Sequence, residues 1–163
     1  MPGTQLTSKI DPKQAMLNYL TASRDRCMSS AGLAIGTSST SAIKIVNTVT
    51  YVLDAILRTK TTAEVAFTAT TMDIAANASS VQEACYLVSL NSAGTPTITM
   101  GTIATGAGNA AVPATPSGNC PIGYVRIAVA AGSTIFDASS DALNASHLTV
   151  TYVNLSMNPS DYE

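Results

Sequence analysis

Tyr86-Leu87-Val88-Ser89-Leu90-Asn91-Ser92-Ala93-Gly94-Thr95-Pro96-Thr97-Ile98-Thr99-Met100 reads as a β-hairpin, and this stretch decides the fold class. Two runs rich in β-branched and apolar residues flank a short turn containing Asn91 and Gly94. In the second run Thr97 and Thr99 fall on one side, Ile98 and Met100 on the other, the period-2 pattern of a half-buried strand. Pro96 opens that run, where its missing N–H matters least.

Working outward, the same grammar recurs. Upstream, Ile43-Lys44-Ile45-Val46 and Val49-Thr50-Tyr51-Val52-Leu53 are short β-branched runs. Asp54-Ala55 turns the chain before Ile56-Leu57-Arg58. Val65, Phe67 and Ala69 alternate with Ala66, Thr68 and Thr70, as in a half-buried strand. Downstream, residues 101–121 are punctuated by Gly and Pro and read as a long irregular connection. Val125, Ile127 and Val129 share one face of Tyr124–Val129, with Gly123 suited to a bulge. Ile135-Phe136 is a short strand candidate, Asp141-Ala142-Leu143 a candidate helical turn, and Leu148–Val153 the last strand. Many short strands with such punctuation predict a mainly β fold, an antiparallel β-sandwich or barrel.

The N-terminal part differs. Residues 1–10 read as an arm. Asp11 as N-cap, Pro12 at the first helical position and Gln14 at the third form a capping box. Ala15, Met16, Tyr19 and Leu20, followed by Ser23 and Cys27, make one apolar face, so one short α-helix is expected over residues 12–27. That face either packs on its own domain or anchors the chain to a neighbour, with Met16, Tyr19 and Leu20 as the assembly contacts. Ser29–Thr40 reads as a loop or linker. The expected organisation is an N-terminal arm and helix over 1–40, a β domain over 41–157 and a polar tail over 158–163.

Only 11% of the 163 residues are charged, and the net charge is −2; a typical soluble domain has about 25% charged residues. Ala, Thr and Ser take their place. A surface so poor in charge favours association, so contacts with copies of the same chain are expected. The basic residues are scattered, with neither an Arg/Lys stripe nor an aromatic platform, which argues against a nucleic-acid partner. Met1–Leu6 lacks the basic and apolar regions of a signal peptide. No run reaches the ~18 apolar residues of a membrane span. The expectation is synthesis in a cytoplasm, with no membrane partner.

Motifs for chemistry are sparse. His147 would be the base of any Ser–His–Asp triad, but no Gly-x-Ser-x-Gly elbow accompanies it. Gly106-Ala107-Gly108-Asn109-Ala110-Ala111 matches Gly-x-Gly-x-x-Ala, but Pro113 and Pro116 forbid the helix that a dinucleotide site requires, so it reads as a tight loop. Asp73, Glu83, Asp137 and Asp141 qualify as paired carboxylates by type alone. Calcium-loop spacing is missing, and no cofactor is expected. Cys27, Cys85 and Cys120 are widely spaced, without a zinc pattern. They are either buried reduced thiols or cross-links between subunits. Three Asn-x-Ser sequons, at Asn77, Asn144 and Asn154, carry meaning only on a secretory route.

The segment Val65–Met157 resembles small virion structural proteins of tailed bacteriophages, of the head decoration (cement) or fibre type. The likeness lies in the strand Val65-Ala66-Phe67-Thr68, the hairpin Tyr86–Gly101, the Pro-containing loop into Cys120-Pro121-Ile122-Gly123-Tyr124-Val125-Arg126-Ile127, and the closing Leu148-Thr149-Val150-Thr151-Tyr152. Ile43–Tyr51 also looks like the start of such proteins. The resemblance implies a β-sandwich or barrel, usually oligomeric and often trimeric, held on a virion by the major capsid protein or another virion protein. It transfers no catalytic residues. A capsid decoration protein is the first expectation. The alternative is a head or tail fibre domain whose loops 70–83, 101–121 and 137–146, with Tyr86, Tyr124 and Tyr152, bind a host-surface glycan. A depolymerase ranks last.

Overall fold

The computed structural model describes residues 26–67 and 72–156. Among these described residues, eleven strands run in chain order: β1 (Arg26–Cys27), β2 (Leu33–Ile35), β3 (Ala42–Ile45), β4 (Val49–Leu53), β5 (Ile56–Lys60), β6 (Ala63–Ala66), β7 (Gln82–Asn91), β8 (Pro96–Met100), β9 (Ala104–Thr105), β10 (Asn119–Val129) and β11 (Leu148–Asn154). They form open antiparallel sheets ordered β1-β4-β5, β2-β3-β6 and β11-β10-β7-β8, with β9 also pairing β7. The fold is mainly β, with sandwich-like sheets and no closed barrel.

The hairpin forms as read. Leu90 pairs with Pro96 and Tyr86 with Met100. Asn91 builds the turn: its Oδ1 accepts from the Ala93 and Thr95 amides, each at 2.9 Å. Gly94 supplies the left-handed residue at φ +74°. A second hairpin joins β4 to β5 through Asp54 and Ala55, at φ +54° and +61°. Two consecutive positive φ values are those of a type I′ turn, which matches the twist of the strands. The two hairpins are tied together: Tyr51 Oη donates to Asn91 O at 3.0 Å, and Arg58 Nη1 to Ser92 O at 2.6 Å.

One apolar core lies between the β7-containing sheet and the other two. Ala84, Tyr86, Val88 and Leu90 of β7 and Val125, Ile127 and Val129 of β10 face Ile43, Ile45, Val49, Tyr51 and Leu53. Phe67, Tyr86 and Phe136 meet edge to face, with ring centroids 5.1–6.2 Å apart. Gly123 marks a bulge in β10, where the register with β7 shifts between Pro121 and Gly123. A Cβ there would stand 2.5 Å from Leu33 Cδ1 and 2.6 Å from Val153 O, so only glycine lets β2 approach.

Several expectations change. Of the helix expected over 12–27, only Arg26 and Cys27 are described, and they form β1; Met16, Tyr19 and Leu20 lie outside the described residues, as does the 158–163 tail. Ser29–Thr40 is not a plain linker, because Leu33–Ile35 pairs with β3. Residues 26–40, assigned above to the arm, are therefore sewn into the sheets. The 101–121 connection contains β9 and the first residues of β10. Ile135-Phe136 reduces to one bridge between Phe136 and Ile74. Asp141–Leu143 is a turn anchored by Asp141 N to Asp137 O and Leu143 N to Thr40 O, and no α-helix occurs among the described residues. Correspondingly, no described helix is long and apolar enough to cross a membrane.

Candidate functional site

β7 is buried on both faces. Its second face carries Glu83, Cys85, Leu87 and Ser89. The connection between β8 and β10 lies over it. Gly101 N donates to Cys85 O at 2.7 Å and Gly106 N to Val81 O at 2.9 Å, while Cys85 Sγ donates to Ala110 O at 3.3 Å.

Beneath this strap sits a buried carboxylate. Glu83 is 2% exposed. Its Oε2 accepts from Gly108 N at 2.9 Å; its Oε1 accepts from Ala110 N and from Arg126 Nη1, both at 3.1 Å. Gly106 and Gly108, at φ +92° and +84°, aim those amides inward. The Gly-x-Gly-x-x-Ala match is thus an anion-binding loop whose anion is the protein's own Glu83. Arg126, with its side chain 26% exposed, reaches Glu83 across the β7–β10 pair and opens onto a cleft. The cleft holds about 350 Å³ and is walled by Val81, Ala107, Ala128, Ala130, Thr149 and Thr151. The Arg126–Glu83 pair is the charged feature of this lining.

The other candidate residues are placed as follows. Asp73 Oδ1 accepts from Ala138 N at 2.8 Å, and Asp141 Oδ2 from Asp137 N at 2.8 Å. Asp137 Oδ1 accepts from both Ser139 N and Ser139 Oγ, which lowers its carboxyl below the usual range. These three carboxylates gather near the Ile74–Phe136 bridge as turn-builders; Glu83 stands apart, beneath the strap. His147 Nε2 is 3.8 Å from Asp141 Oδ2, beyond hydrogen-bond length. Among the described residues, no three His, Cys, Asp or Glu side chains cluster so as to hold a metal ion.

Cys27, Cys85 and Cys120 are all buried thiols. Burial raises the Cys27 and Cys85 thiols above their ordinary value, although a backbone contact and Arg126, respectively, pull the other way. A cross-link between subunits would require the interior to open. Of the proposed stacking tyrosines, Tyr86 is in the core, donating to Met72 O at 2.6 Å; burial, then the Asp73 charge, hold its phenol far above normal. Tyr152 packs at the core edge and burial pushes it up to about 12. Tyr124 is half-buried.

Sequence reasoning singled out Glu83 by type and the glycine loop by pattern, but missed their union and Arg126. The signal was available: a Glu and an Arg on strands of a chain this poor in charge, each next to a core-facing apolar residue. Comparison with protein-family models, curated proteins and solved structures returns no match.

Proposed function

We propose that this chain is a bacteriophage virion structural protein, a capsid decoration protein that binds the head shell through protein–protein contacts. Copies of the chain associate, as trimers in this reading, and the major capsid protein is the partner; the protein's place is the virion. One observation carries the proposal. In a chain with 11% charge, large apolar side chains stand out on the surface of the single subunit: Leu57 at 66%, Ile56 at 53%, Ile135 at 49% and Met28 at 48% exposure. Such surface, with few charges to keep copies apart, is stabilised by burial against other subunits. The hydrogen-bonded strap and tight hairpins suit a scaffold that presents fixed surfaces.

The test is copy number and binding on particles. Purified chain added to heads lacking it should bind at hundreds of copies per head, and raise the temperature at which heads rupture. A few copies per virion at the tail, together with direct attachment of the purified protein to host cells, would assign it to the fibre alternative. Hydrolysis of a host polysaccharide by the purified chain would replace both.

A further inference from the structure

On the face of β7, β10 and β11 that points away from the core, the side chains stand in short rows. Cys85, Arg126 and Thr151 form one row, and Glu83, Ala128 and Thr149 the next. The alternate residues of β11, Leu148, Val150 and Tyr152, pack against the core, so Thr149 and Thr151 turn outward and are exposed. The strap covers the β7 end of these rows: Gly108 N and Ala110 N hold Glu83, and a Cβ at Gly108 would stand 3.8 Å from Arg126 Nη1. Beside the strap, over β10 and β11, lies the cleft of about 350 Å³. Small side chains make its room, Ala107 on the strap and Ala128 and Ala130 on the sheet. Its volume falls at the small end of ligand sites, which run from about 300 to 1,000 Å³.

We infer that this cleft is a binding site for a free, short-chain aliphatic carboxylate. Arg126 selects the charge. Its guanidinium is fixed from behind: Nη1 donates to Glu83 Oε1 at 3.1 Å, and Glu83 is itself held by two backbone amides. The guanidinium is therefore oriented before any ligand arrives. Glu83 spreads its charge over three donors, and Cys85, beside Arg126 in the row, offers only a weak sulfur acceptor. The Arg126 side chain is 26% exposed and lines the cleft, so the remaining edge of its planar fork suits the two oxygens of a carboxylate. Thr151, the cross-strand partner of Arg126, brings a hydroxyl to the same place. The rest of the lining selects the tail. Val81, Ala107, Ala128 and Ala130 offer more apolar surface than the one or two methylenes of an aspartate or glutamate side chain cover. The occupant is thus a free acid with an aliphatic tail rather than an acidic side chain of a partner protein. The inference does not rest on the decoration reading: Leu57, Ile56, Ile135 and Met28 do not line the cleft, and its failure would leave that reading standing.

The experiment titrates the full chain with sodium butyrate and follows its amide shifts by NMR, with n-butanol as the uncharged match. Saturable shifts at Gly108, Arg126, Thr149 and Thr151 are expected at millimolar butyrate, and none from butanol. Arg126→Lys should weaken binding about tenfold, because the fork is lost. That change also touches Glu83, so two variants outside the Glu83 hydrogen bonds accompany it. Thr151→Val should weaken binding about fivefold, the effect of one hydroxyl. Ala130→Leu, at an exposed position, should abolish binding by filling the cleft, and both variants should keep the remaining amide spectrum. Shifts that grow linearly with butyrate, or that butanol reproduces, would overturn the inference. Saturable binding that survives both Thr151→Val and Ala130→Leu would overturn it as well, by placing the ligand elsewhere. A blocked Ala-Glu-Ala peptide that binds more tightly than butyrate would overturn it in favour of an acidic side chain of a partner protein.

Discussion

Replacing Glu83 with Gln should release the strap, and the size of the effect follows from its donors. Glu83 accepts on both oxygens and faces only donors: Gly108 N on Oε2, and Ala110 N and Arg126 Nη1 on Oε1. A carboxamide has one acceptor oxygen. Its favoured orientation keeps Oε1 toward Ala110 and Arg126 and turns the NH2 against the Gly108 N–H, donor to donor. Orphaning one buried amide costs about 1–3 kcal/mol. Loss of the charge toward Arg126 adds roughly 1 kcal/mol, at the low end because that guanidinium is 26% exposed and can rehydrate. The sum is about 3 kcal/mol, which lowers Tm by roughly 6–12 °C in a domain of this size. Equilibrium urea unfolding followed by tyrosine fluorescence measures it, since the chain has no Trp. Amide exchange at Gly108 and Ala110 should accelerate with it. Combining Glu83→Gln with Arg126→Met should cost less than the sum of the singles, by about 1–3 kcal/mol of coupling. A loss below about 0.5 kcal/mol for Glu83→Gln, with those two amides as protected as before, would refute the claim that the carboxylate holds the strap.

Gly123→Ala should destabilise by about 1–3 kcal/mol in the same assay, since the new Cβ meets Leu33 Cδ1 and Val153 O inside contact distance. Ala55→Gly should stabilise by about 1 kcal/mol in urea unfolding, because Ala55 holds φ +61°. Glu64 should titrate near pH 2 by carboxyl NMR: the Ser38 amide, then the Thr37 hydroxyl and amide, hold its carboxylate charged, lowering it from 4.5 to about 2. Its folded value lies below its unfolded one, so its contribution is complete above about pH 4.5 and fades as pH falls toward 2; Glu64→Gln should remove that part of the acid dependence. Cys27, Cys85 and Cys120 should react with a thiol reagent only as fast as the protein opens, with all three becoming reactive in urea; a fast-reacting fraction in the native protein would contradict their burial.

Local physics was legible in the amino-acid sequence alone. The Asn91–Gly94 turn, Pro96 at a strand start, the face shared by Val125, Ile127 and Val129, and the bulge at Gly123 depend on neighbouring residues and on the period of two. What the second face of β7 meets did not depend on neighbours. Glu83 finds Gly108 and Ala110 at separations of 25 and 27 residues and Arg126 at 43, and Cys85 finds Ala110 at 25. Likewise β2 was hidden inside Ser29–Thr40, because its pairing with β3 and the close approach allowed by Gly123 outweigh its small, polar, glycine-containing surroundings. Strand identity is a property of a few consecutive side chains, whereas burial of a strand's second face depends on which distant segment the folded chain lays over it. The tertiary structure therefore decided that the glycine loop binds the protein's own carboxylate, and that Arg26, Val52 and Leu57 form one register row across β1, β4 and β5.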